Sequence, residues 1–162
     1  MAAAATQPTT TPLALRGGEN DDAREGTIEL SDGKTIRGRI ATTAEKPVRV
    51  WVEAEKQYED IPFSMIKTIE ASVVWERDER EWRFKASGSD VKEYSGKTYP
   101  ARETSYKITL SDGQTFEGGV VAPLYVTDAD GATKTYVLHK RDKGEVGQTL
   151  GQLVYVKRVS LP

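Results

Sequence analysis

The densest group of residues that could do chemistry is His139-Lys140-Arg141-Asp142-Lys143-Gly144, a histidine beside three cations. Lys140, Arg141 and Lys143 could hold phosphate or an anionic polymer, since each phosphate neutralised by a basic side chain adds a salt-dependent increment of affinity. The plainer reading is a solvated loop at a strand end, because nucleic-acid surfaces need more contacts than one short run supplies. His139 is the only histidine and there is no cysteine, so one chain cannot assemble a zinc site of the usual kind. No serine stands in a Gly-x-Ser-x-Gly elbow. Asp128-Ala129-Asp130-Gly131 opens like a calcium loop, but the twelfth position is His139 where a bidentate Glu is required, so it reads as a turn. Gly144, Gly147 and Gly151 fit neither the dinucleotide fingerprint nor a phosphate loop. The sequence therefore offers no catalytic residue, no cofactor and no metal ligand set.

A second group is aromatic. Trp75, Trp82 and Phe84 fall within ten residues, flanked by Arg77, Arg80 and Arg83. Each ring can bury on the order of 150–250 Å². They can serve as a buried wall shared by two small units, or as an exposed platform for a ligand with Trp82 at its centre. Burial is the commoner fate of such rings, and an exposed cluster invites association, so burial is the expectation.

The elements that must position these residues show themselves as a repeat. Ile-Glu-Leu-Ser-Asp-Gly-Lys-Thr-Ile-Arg-Gly-Arg-Ile (28–40) recurs as Ile-Thr-Leu-Ser-Asp-Gly-Gln-Thr-Phe-Glu-Gly-Gly-Val (108–120), with seven of thirteen positions identical at an offset of 80. A two-residue Asp-Gly turn would send the apolar residues of the two strands to opposite faces. A three-residue Ser-Asp-Gly loop, its Gly left-handed as a bulge, instead places Ile28 opposite Ile36 and gathers Ile28, Leu30, Ile36, Gly38 and Ile40 on one face. Gly38 and Gly118, inside strands, mark a bend or a close backbone approach. Further alternating runs follow in each copy, and Ile66-Lys67-Thr68-Ile69 matches Val156-Lys157-Arg158-Val159 at an offset of 90. A single helical turn and then a strand fit Ser64 to Trp75 better than a helix, because Val73, Val74 and Trp75 favour strands. Ser87-Gly88-Ser89-Asp90 and Ser95-Gly96-Lys97 read as turns.

These signals give an all-β chain of two duplicated small β-barrels: 1–25 a disordered tail, 26–75 the first barrel, 76–104 an aromatic connector, 105–162 the second barrel. The tail carries Ala, Thr, Pro and acids without apolar period. Ala2 to Ala5 suit either a mature terminus exposed by signal cleavage or a native tail. With 23 Lys plus Arg against 25 Asp plus Glu, no global field draws the chain to nucleic acid or an anionic membrane. No apolar run approaches the roughly 20 residues that span a bilayer.

The motif Ile-x-Leu-Ser-Asp-Gly-x-Thr-x-x-Gly, a valine-rich strand and the Ile-Lys-x-Ile ending resemble the Sm-like and SH3-like small β-barrels over about 45 residues of each half. Sm-like proteins bind RNA through an acidic residue and an asparagine after the second strand. Here that stretch is Ala41-Thr42-Thr43-Ala44-Glu45-Lys46, so the RNA-contacting residues do not carry over. The whole layout is also similar to bacterial proteins of the cell envelope, which would place the chain in the periplasm or envelope, with the cytoplasm as the alternative. The functional expectation is a non-catalytic binding or structural module with a protein partner. The alternative is a nucleic-acid or polyanion binder acting through Lys140, Arg141 and Lys143.

Overall fold

Both Ser-Asp-Gly hairpins obey the same local rules. The computed structural model describes residues 23–162, and in it the amide of Gly33 donates to Leu30 O at 3.0 Å and that of Leu30 to Lys34 O at 2.8 Å. Gly113 and Leu110 repeat these bonds at 3.0 and 2.8 Å. The Asp32 carboxylate accepts from the Lys34 amide and Asp112 from that of Gln114, closing each loop from inside. Gly33 and Gly113 have φ of 90° and 93°, the left-handed region in which a Cβ costs about 1–2 kcal/mol. The resulting register sets Ile28 opposite Ile36 and Ile108 opposite Phe116, so the apolar side chains share one face.

Among the described residues eleven strands form: β1 (Arg24–Leu30), β2 (Thr35–Ala41), β3 (Val48–Val52), β4 (Gln57–Ile61), β5 (Ile66–Phe84), β6 (Lys92–Leu110), β7 (Thr115–Val120), β8 (Ala122–Thr127), β9 (Thr133–Leu138), β10 (Arg141–Lys143) and β11 (Val156–Ser160). A 3-10 turn at Phe63–Met65 leads into β5, the single turn followed by a strand that the sequence implies. Residues 1–22, and with them most of the expected tail, lie outside the described residues; β1 already begins at Arg24. No helix among the described residues is long and apolar enough to cross a membrane.

The expected pair of closed barrels is not what these strands build. They make one open antiparallel sheet in the order β4-β3-β7-β6-β5-β11-β1-β2-β8-β9, with β10 beside β6. The reason is an exchange of partners between the halves. β3 pairs with β7 through Val50 and Val120, and β8 pairs with β2 through Val126 and Ile40. β1 finds β11 rather than β5, with Ile28 opposite Val159, while β5 takes β6, with Ile69 opposite Ile108. The order reads the same from both ends once strands carrying matching sequence are equated, and Ile69 opposite Val159 marks its centre. Neither half can close on itself because each lends its hairpin to the other.

No second layer among the described residues covers this sheet, yet Ile28, Ile40, Val50, Ile66, Ile108, Leu124, Leu138 and Val159 are all at 0% exposure. A sheet must bury its apolar face against something, so this one coils and packs on itself. A single apolar cluster runs from Ile28 to Leu161 through both halves. Paired neighbouring strands approach closely at two matching positions, β3 against β7 and β8 against β2. A Cβ on Gly118 would collide with the Trp51 carbonyl, and one on Gly38 with the Thr127 carbonyl. This is the close approach that an intrastrand Gly signals.

One shared core predicts one cooperative unfolding transition. Gly118→Ala and Gly38→Ala should each destabilise by about 1–3 kcal/mol, as overpacking does, with Gly33→Ala and Gly113→Ala costing about 1 kcal/mol each. Urea titrations followed by tryptophan fluorescence measure all four; two resolved transitions, or Gly118→Ala at parental stability, would contradict the exchanged architecture.

Candidate binding site on the ribbon arm

β5 and β6 are 19 residues each, far longer than the body of the sheet needs. Their inner halves lie in the core and their outer halves run out as a two-stranded ribbon, so the aromatic connector expected at 76–104 is the continuation of two central strands. Arg102 anchors the ribbon's root. It is 4% exposed, donates to Glu76 at 2.8 Å and to the carbonyls of Leu150 and Leu153, and stacks 4.6 Å from the Tyr155 ring centre. A buried guanidinium needs both a counter-ion and filled donors, and here it has them. β10 borders the ribbon at Ala101–Glu103, and the amides of Gly144 and Gly147 donate to Pro100 O and Thr98 O at 2.8 and 2.9 Å. Beyond Arg80 and Thr98 no other strand among the described residues touches the ribbon.

The outer arm is shaped by a bulge. Arg80 pairs with Thr98 but Trp82 with Tyr94, so Ser95, Gly96 and Lys97 bow out opposite Glu81, with Gly96 at φ 84°. The Ser95 hydroxyl donates to Glu81 at 2.7 Å across the bow. Ser95-Gly96-Lys97, expected as a turn, is thus a bulge within β6, while the chain reverses at Ser87–Asp90 as expected.

Strand alternation assigns the arm two faces. Arg80, Trp82 and Phe84 share one with their opposite residues Thr98, Tyr94 and Lys92. The Arg80 guanidinium lies 4.1 Å from the Tyr94 ring centre, the Lys92 ammonium 4.2 Å from that of Trp82, and Phe84 meets Trp82 edge-on at 5.0 Å. From Arg80 outward this face carries three aromatic rings and two cations and no carboxylate. Phe84 is 54% exposed, Tyr94 45% and Trp82 38%. The expectation that Trp82 and Phe84 form a buried wall is corrected: they project beyond the core, and the exchange of strands already joins the halves without them.

The other face pairs its charges internally. Glu79 accepts from Arg77 at 3.0 Å, from the Tyr99 hydroxyl at 3.1 Å and from Arg141 at 3.4 Å. Trp75 is half-buried between the guanidinium groups of Arg77, 4.2 Å away, and Arg141, 5.1 Å away, and its indole donates to Glu103 at 3.0 Å. Desolvation works to raise the Glu79 carboxyl, but the bonds from Tyr99 and Arg77 and the charges of Arg77 and Arg141 outweigh it and hold it below the usual glutamate range. The same bond from Tyr99 to Glu79, with desolvation, raises the Tyr99 phenol.

Of the four residues the sequence singles out, three converge. Trp82 and Lys143 border one groove between the arm and the loop after β10, together with Tyr99 and Val146, and Arg141 lies next to it across Tyr99. Lys140 does not join them: its stem lies over Gly119, in the space a Cβ would take, and its charge faces Glu53. Sequence reasoning passed over Glu79, Tyr99 and Arg102, and the partnership of Arg80 with Lys92. The alternation Arg80-x-Trp82-x-Phe84 carries the signal for one strand, but the bulge hides which β6 residues stand opposite. No family model, curated protein or solved structure matches this chain.

Below the loop, burial pushes the Tyr106 phenol up to about 12, a hydrogen bond from the His139 backbone working the other way. Its folded pKa exceeds the ordinary value near 10, so its contribution to stability is complete below pH 10 and is lost as pH rises toward 12. For Glu79 the sign is opposite: the contribution is present above the ordinary glutamate range and is lost as pH falls through the lowered folded value. Absorbance at 295 nm should show at least one of the seven tyrosines un-ionised at pH 11 while the fold persists, and Tyr106→Phe should remove that late step. Seven tyrosinates at pH 11 in folded protein would overturn the assignment.

Proposed function

We propose that this protein is a non-catalytic binding module whose contact surface is the outer arm and whose partner is another protein. The observation that carries this reading is the Arg80-Trp82-Phe84-Lys92-Tyr94 face, where large rings stay exposed on an element the core does not require. Aromatic residues and arginine are the types that dominate binding energy at protein interfaces. The sequence repeat and the symmetric strand order support a duplicated five-strand unit whose copies have exchanged hairpins. The likeness of the hairpin motif to Sm-like and SH3-like proteins supports a binding role and brings no RNA-contacting residue with it.

The polyanion alternative through Lys140, Arg141 and Lys143 has less behind it. Arg141 is committed to Glu79 and Trp75, Lys140 points elsewhere, and Lys143 lies over the Tyr99 ring. Replacing Trp82 and Phe84 by Ala should leave stability within about 0.5 kcal/mol, as for exposed positions, and should abolish partner capture by a photo-reactive side chain at Tyr94. A photo-reactive side chain at Val137, on the body, should capture nothing in either protein. A loss of 3 kcal/mol or more in Trp82→Ala, or equal capture from both positions, would remove the arm from consideration.

A further inference from the structure

β5 leaves the sheet with one edge open. β11 pairs with it only at Thr68–Glu70, and from Arg77 to Phe84 no other strand among the described residues borders it on that side. Eight residues of strand present about 26 Å of unpaired backbone, and a free edge of that length is a template for an added strand. The open edge of β6 is less available, because Gly144 and Gly147 already bond Pro100 and Thr98 at its root and the bulge at Gly96 bends the rest.

The side chains next to the edge set the chemistry of what can be added. Arg77, Arg83, Arg102 and Arg141 each face a carboxylate, on Glu79, Glu93, Glu76 and Glu79 in turn. Arg80 and Lys92 face rings only; neither has an ion pair among the described residues. Both belong to the face of Trp82 and Phe84, which carries no carboxylate from Arg80 outward, Asp78 being the residue of that face just inside Arg80, and Arg80 sits on the edge strand itself. A strand laid beside β5 places every second side chain on that face. A carboxylate there meets Arg80, and the next residue but one on that face meets Trp82. A lysine at the same place meets like charge, which is destabilising directly across strands.

We propose that the Arg80–Phe84 stretch of this β5 edge takes up, by strand addition, an extended acidic segment of a partner protein with a carboxylate set beside Arg80. This rests on the reading of the arm as the contact surface. The test uses the full chain with two ten-residue probes, one alternating Thr and Glu and the other Thr and Lys, titrated by NMR and followed by amide exchange. The Thr-Glu probe should bind and protect amides of the Arg80–Phe84 stretch. Arg80→Glu should weaken it at least ten-fold, whereas Lys134→Glu on the distant β9 should change nothing. Stronger binding of the Thr-Lys probe, binding indifferent to Arg80→Glu, or an edge already protected by dimerisation of the free protein would overturn the proposal, the last in favour of a second copy of this chain. Capture at Tyr94 that persists in Arg80→Glu would remove the acidic strand and leave the arm reading standing; no capture at Tyr94 removes both.

Discussion

The structure depends on pairings that no half of the chain can make alone. Ile28 reaches Val159, Ile40 reaches Val126 and Val50 reaches Val120, and each contact completes a strand pair between segments carrying different copies of the repeat. Burial follows from that exchange. The apolar face of each hairpin meets apolar residues of the other copy, so the cluster from Ile28 to Leu161 is continuous, and units of roughly 60 residues that would be marginal alone share one core. The two intrastrand glycines belong to the same constraint, since the borrowed strand lies where a Cβ would stand.

The arm is a by-product of the same geometry that became separable from it. β5 and β6 sit at the middle of the sheet, where Ile69 faces both Ile108 and Val159, and they have room to continue outward only where the neighbouring strands end. The root is secured by polar chemistry rather than by apolar packing: Arg102 gathers Glu76, Leu150, Leu153 and Tyr155 around one guanidinium. Past that point the two faces diverge. One closes its charges internally around Glu79, and the other, from Arg80 outward, keeps Arg80 and Lys92 over rings without a carboxylate. Specificity in such an arrangement comes as much from what the cations repel as from what they attract.

Much of the local structure was legible in the residues. The Ser-Asp-Gly loop, the positive φ of Gly33 and Gly113, the face shared by Ile28 and Ile36, and the turn before β5 all follow from short-range rules that act within a few positions. The arrangement of the halves was not. Ile40 is equally suited to face Val50 of its own copy or Val126 of the other, because the repeat makes the two surfaces alike, and periodicity cannot tell self from partner. The same ambiguity turned Trp82 and Phe84 into an expected wall: with two closed barrels a joint would be required, and with exchanged strands it is not. The basic loop was partly legible, since Arg141 and Lys143 do stand at the arm, but Glu79, which takes up the charge of Arg141, could be placed beside it only through the pairing of β10 with β6.

The exchange also sets a schedule for synthesis. β1 and β2 leave the ribosome without their outer neighbours, for Val159 follows Ile28 by about 130 residues. At a translation rate of about 5–20 residues per second this interval is on the order of 10 s. Ile28 waits that long for Val159, whereas Ile40 waits for Val126, 86 residues on, and Val50 for Val120, 70 residues on. The fold therefore places its greatest hazard before its completion, when unpaired edges of neighbouring nascent chains are exposed to one another.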